Sequence, residues 1–205
     1  MTDVRTVSVD GSGRVSAVPD VVRVQIGVAV ADADVSTAMD RAGVSMRAVI
    51  AAVVDAGVAR TDLATSQLSV QPQYRRGDDP GITGYEVSNM LTATVRELDA
   101  AGSVLSAAAG AGGDDLRVHG LSLSVADPSG ALTAARDAAF ADARDRAEQY
   151  ARLAGASLGR GLSISEGAPS TSPVPRLAAF AGGEPPIEAG EQQFSASVAV
   201  VFELV

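Results

Sequence analysis

The sequence predicts an α+β fold in which largely antiparallel sheet carries two long helices packed on one side. Three observations lead there. The order strand, long helix, strand, Pro/Gly-rich reversal, strand occurs twice, at about 14–95 and 116–204, with a shorter helix at 98–109 linking the copies. The closing segments, YEVSNMLTATV and QFSASVAVVFEL, alternate apolar and polar residues, the period of a sheet with one buried face. Both long helical segments gather their apolar residues on one stripe. At 205 residues the chain is one large domain or two small ones sharing a sheet, and it is long enough to bury a substantial core.

The elements follow in order. Residues 4–9 alternate, and DGSG at 10–13 supplies the positive φ angles of a hairpin turn. Residues 14–30 continue as a second strand, interrupted at Pro19. The Gly-x-Gly is no dinucleotide fingerprint, because the third glycine is missing and a strand follows it. Asp34 or Ser36 caps the first helix, whose stripe Val35, Met39, Ala42, Met46, Val49 and Val53 defines a buried face. Gly57 ends that helix. Leu63–Tyr74 and Ile82–Val95 form a hairpin around RRGDDPG, and the second strand spans roughly 48 Å.

A short Ala-rich helix at 98–109, capped by Asp99, gives way to a flexible GAGGDD stretch and a strand at 116–125. Asp127 as cap and Pro128 at the first helical position start the longest helix, which runs about 40 Å to Ala154. Its apolar side, Leu132, Ala135, Ala139, Ala143, Ala147, Tyr150 and Ala154, is nearly all small. Its outer side pairs Arg144 with Glu148 and Asp142 with Arg146, each pair worth a few tenths of a kcal/mol. Strands at 161–166 and 192–204 close the second copy. Between them, 168–190 breaks the pattern with prolines and the apolar insert LAAF. A loop longer than about 20 residues is functional or disordered.

Composition excludes more than it assigns. Apolar residues make up 46% and aromatics 3%, so the core is built from Val, Ala, Leu and Ile. Small side chains let helix and sheet approach closely, at the expense of a ring-lined pocket. Without cysteine there is no disulfide, thiolate nucleophile or Cys-ligated metal. Every basic residue is arginine, which removes Schiff-base chemistry and the lysine of phosphate-binding loops. A net charge of −9 disfavours nucleic acid and anionic lipid. The N-terminus shows no basic region leading into an apolar one, and no run of about 18 apolar residues occurs. The expected compartment is the cytoplasm, or the periplasm or cell envelope if an export leader precedes this sequence.

Candidate chemistry reduces to folding needs. His119 lies in a strand pattern, LRVHGLSL, with no GxSxG elbow to serve. The acidic pairs Asp32/Asp34, Asp78/Asp79 and Asp114/Asp115 fall at turns and helix starts, where aspartate caps. None has the spacing of a calcium loop. The RGD at 76–78 is a chance product of a composition rich in Arg, Gly and Asp. The expectation is no catalytic residue, no cofactor and no metal.

With the elements placed, the chain resembles the SIMPL-domain family, named for a signalling molecule associated with a pelle-like kinase and described as a domain of unknown function. The likeness runs through VSVDGSGRVSAVPD at 7–20, DLATSQLSVQPQY at 62–74, ITGYEVSN at 82–89 and VRELDAAG at 95–102. AARDAAFADARDRAEQYA and the terminal PIEAGEQQFSASVAVVFEL complete it. Pro19, Asp20, Gly84, Tyr85 and Asn89 fall within these motifs, and their residue-level reading is turn and strand geometry. The resemblance implies an α+β protomer that assembles. One periplasmic immunogenic member is a large ring-like oligomer, and an animal member is a signalling adaptor. It implies no catalytic residues.

The expected function is a non-enzymatic, self-assembling scaffold or interaction protein, a homo-oligomer that uses Leu177 and Phe180 of LAAF as contacts. The alternative is a small-molecule or lipid-binding protein that uses a groove between sheet and helices. The protein partner, the stoichiometry and any ligand stay open at this stage.

Overall fold

The computed structural model describes residues 4–75, 81–168, 170–174 and 190–205. It is α+β with antiparallel pairing throughout the described strands, as the alternation predicts. The strands divide between two sheets, and the chain forms two compact units, Asp20–Ser124 and Met1–Pro19 with Val125–Val205.

In the unit Asp20–Ser124, strand β2 (Val21–Asp32) leads to helix α1 (Val35–Asp55), the hairpin β3 (Leu63–Tyr74) and β4 (Ile82–Val95), helix α2 (Ala101–Gly112) and strand β5 (Leu116–Ser124). The sheet order is β3-β4-β2-β5. Val22, Val24, Ile26, Val28 and Val30 point to one side of β2 and are almost wholly buried. They meet Ala38, Ala42, Met46, Val49 and Val53 of α1 and Ala101, Val104 and Ala108 of α2. Burying each valine side chain is worth about 1.5–3 kcal/mol, so this face of β2 contributes substantially to the unit's stability.

Asp34 caps α1, accepting from the backbone N–H groups of Ser36 and Thr37, both at 3.0 Å. Gly57 follows the helix at φ 102°, a conformation that favours glycine. The buried face differs from the expected stripe in its first turn: Ala38 is buried, while Val35 and Met39 are exposed. The expected stripe repeats every 3.5 residues, and a straight helix drifts about 20° per heptad from such a repeat, so the far end rotates off the contact. Asp99 does not cap α2. The chain enters that helix through a 3-10 turn, Leu98–Ala100, and no side chain caps its start. The helix continues through the glycines to Gly112, where a flexible stretch was expected.

In the other unit, β1 (Thr6–Ala17), α3 (Ser129–Leu153), β6 (Leu158–Glu166), β7 (Ser170–Val174) and β8 (Glu191–Leu204) form a sheet in which β8 pairs with β1 on one side and with β6 and β7 on the other. The strand that precedes α3 in the chain is β5, yet the strand beside β8 is β1. Thus β1-α3-β6-β8 repeats the plan of β2-α1-β3-β4, and chain order alone does not reveal it.

The DGSG segment is no turn. Strand β1 runs unbroken through it, and the break comes at 18–20. Gly11 and Gly13 lie beneath α3, where a Cβ would fall 2.6 Å from the Ala143 backbone nitrogen or 2.5 Å from that of Ala139. These glycines serve close approach of helix to strand. The buried line on α3 is Ala135, Ala139, Ala143, Ala147 and Ala151, while Tyr150 is exposed. The contact follows one i±4 ridge of the helix. Pro128 occupies the cap position of α3, and Asp127 accepts from the Ser129 N–H at 3.0 Å. Within 168–190 the structure contains strand β7 where only loop was expected. No helix among the described residues is long and apolar enough to cross a membrane.

Candidate functional site

Both units cover the middle of a sheet with a long helix and leave the helix-facing side of an outer strand open. In register, Leu68 stands opposite Asn89 and Val70 opposite Val87. Asn89 and Val87 are in turn opposite Val28 and Val30, which face α1. All six therefore share the helix-facing side. Val28, Val30 and Val87 are buried, but Leu68 is 59% and Val70 41% exposed. In the other unit Ile164 lies opposite the buried Val200 and is 63% exposed.

Three of the motif residues, Gly84, Tyr85 and Asn89, fall around the first of these open faces. Tyr85, half-buried, pairs with Asp32 on one side and Pro72 on the other. It shares a face with Asn89, four residues along the strand. The Asn89 Oδ1 is buried with no hydrogen-bond partner. Gly84 lies where a Cβ would fall 2.6 Å from the Asp32 carbonyl oxygen, so the backbones touch as β2 turns toward α1. Pro19 is buried and Asp20 exposed at the passage between the units, and the Asp20 N–H donates to the Ser124 carbonyl at 3.2 Å. Leu177 and Phe180 lie outside the described residues, as do Asp78 and Asp79 and the RGD at 76–78.

One concavity adjoins Ile164, and another lies away from both open faces. The first, about 230 Å³, runs between α3 and the sheet and is lined by Ala139, Phe140, Ile164, Ala196 and Val198, with Arg136 bonded to Glu166 at 2.6 Å along its wall. Phe140 leans on Phe202, ring centroids 6.2 Å apart. The other, about 390 Å³, lies beyond the C-terminal end of α1. There Arg96 clamps Asp62 through two bonds of 2.8 and 2.6 Å. The guanidinium holds the Asp62 carboxyl below the usual carboxylate range. Such a bidentate clamp is occupied with its own partner and tethers the start of β3 to the end of β4.

The remaining charged groups have equally local roles. Asp32 accepts from the Asp34 N–H and pairs with Arg41 at 3.0 Å, and these two contacts lower its pKa. His119 is exposed on β5 at a bulge, where Gly120 pairs with Gln25 and Val118 with Ile26. That irregularity is invisible in the alternation. Asp114 and Asp115 sit in a 3-10 turn. Among the described residues no group of three His, Asp or Glu side chains is arranged to hold a metal ion.

Residues 7–202 match the model of SIMPL, described as a protein of unknown function (DUF541). The chain belongs to the SIMPL family. The SIMPL match reaches from β1 to β8 and so takes in both units. This SIMPL chain is 35% identical over 216 residues to the 26 kDa periplasmic immunogenic protein of Brucella melitensis, covering 97% of this chain and 84% of that protein. It is 31% identical over 201 residues to the uncharacterized protein YggE of Escherichia coli K12, covering 95% and 81%.

Proposed function

We propose that this protein is a non-enzymatic, self-assembling scaffold or interaction module. The observation that carries the reading is the pair of outer strands with apolar side chains in solvent: Leu68 and Val70 on β3, Ile164 on β6. Exposed apolar side chains that continue a buried row along one face of a sheet suit contact with a partner. Leu177 and Phe180 are proposed as further contacts between subunits. The repeat of element order expected at about 14–95 and 116–204, joined by 98–109, is read as one building plan used twice, with β1 and not β5 as the opening strand of the second copy. The word periplasmic in the name of a relative 35% identical to this chain favours a periplasmic or envelope setting over the cytoplasm. Light scattering of the purified protein across a wide concentration range tests assembly, and a strict monomer throughout would refute it.

A second reading has its own observation. The groove between α3 and the sheet, lined by Phe140, Ile164 and Val198, suits an apolar small molecule or a lipid chain. Titration with a fluorescent fatty acid should show saturable binding that Phe140→Ser abolishes. Binding unchanged in that variant would rule the groove out.

A further inference from the structure

Among the described residues the four long sheet edges, β1, β6, β3 and β5, are not alike. On β1, the Ser12 N–H already donates to Asp142 at 2.8 Å, and the Asp10 carbonyl accepts from Arg146 at 3.0 Å. Side chains of α3 thus occupy that edge. Strand β5 carries Arg117 and is bulged opposite Gln25 and Ile26. Strand β6 carries Arg160 and Glu166 and shifts register twice. Charge, bulges and cover are the usual devices that keep edges from pairing.

Strand β3, LATSQLSVQPQY, has no charged residue and is exposed for nearly its whole length. Its register with β4 shifts between Thr65 and Gln67, and Pro72 lacks an N–H. The regular run between these interruptions is 67–71, and Ser69 is its midpoint.

We propose that β3 is a homotypic edge at which two copies pair antiparallel about a dyad at Ser69. This rests on the self-assembly reading and names its contact. An isologous interface requires one patch to complement itself. In a chain of net charge −9, a neutral edge meets its copy without the like-charge repulsion that an acidic surface would bring. Antiparallel pairing about Ser69 sets residue 68 against 70 and 67 against 71. Leu68 of one copy then packs on Val70 of the other, on the helix-facing side, and glutamines face glutamines. Each exposed side chain gains an apolar neighbour, and the outward backbone groups of β3 gain partners.

Charge substitutions test both edge and register. Leu68→Lys with Val70→Lys puts like charges face to face across the dyad and should reduce the mass measured by light scattering. Leu68→Lys with Val70→Glu puts opposite charges face to face and should keep the wild-type mass. Circular dichroism checks that both variants fold. A wild-type protein that is strictly monomeric refutes the self-assembly reading itself. An assembling wild type whose Lys/Lys variant keeps its mass overturns only the β3 contact. Equal dissociation of the two variants overturns the dyad at Ser69.

Discussion

Gly11 of β1 lies so close to Ala143 of α3 that a Cβ on the glycine would fall 2.6 Å from the alanine backbone nitrogen. Here strand and helix meet almost backbone to backbone, with nothing larger than alanine between them.

Substitution at this contact should be costly. Gly11→Ala and Gly13→Ala are each expected to lower stability by about 1–3 kcal/mol or more, because the helix must move outward along its whole alanine line. Gly102→Ala is the control: a Cβ there meets nothing within 4 Å, and the change should be neutral or stabilising by up to about 1 kcal/mol. Urea midpoints decide, and equal midpoints for all three variants would contradict the close-contact account.

The carboxyl of Asp142 is held below the usual range, first by the Ser12 N–H and then by Arg146. A group whose folded pKa is depressed contributes stability above its unfolded value, and that contribution is lost as pH falls through the folded value. Asp142→Asn should therefore weaken the protein at neutral pH, and the difference from wild type should shrink below a pH of about 4. Urea midpoints measured along a pH series give the comparison; a gap that is constant with pH would exclude the linkage.

Asn89 places a buried, unpartnered oxygen in a row otherwise formed by Val28 and Leu68. Leaving such an acceptor unsatisfied costs about 1–3 kcal/mol. Asn89→Leu is expected to raise the thermal midpoint, by the equivalent of about 1 kcal/mol. A lower midpoint would mean that the amide makes a compensating bond.

The double variant Leu177→Ser with Phe180→Ser should shift the assembly toward monomer with its thermal midpoint unchanged. A lost midpoint with unchanged mass would instead point to packing of these residues within one chain.

Much of the fold is legible before any coordinates. The β3–β4 hairpin has the bounds that alternation predicts, Leu63–Tyr74 and Ile82–Val95, because period-two patterning and turn residues are local signals. The Asp34 cap and the Gly57 terminator are equally local. The motif positions Gly84, Tyr85 and Asn89 can be read as strand residues, but their common setting beside an uncovered β3 cannot. Exposure of Leu68 and Val70 depends on where α1 lies, and their alternation looks the same in a covered strand.

By itself the sequence determined both long helices and the β3–β4 hairpin, where α1 starts and stops, and that small aliphatic side chains fill the core. These follow from φ/ψ preference, capping and periodicity, which act within a few residues. Only the tertiary structure decided that Gly11 and Gly13 are contacts in a continuous strand, that β1 pairs with β8 across most of the chain, and that β5 joins β2. Glycine permits a turn or a close approach equally well, and an alternating strand fits any neighbour with a matching face. The choice was made by what packs against what: the alanine line of α3 needed a strand without side chains at its closest approach, and Gly11 and Gly13 of β1 offered one between Val9 and Val15.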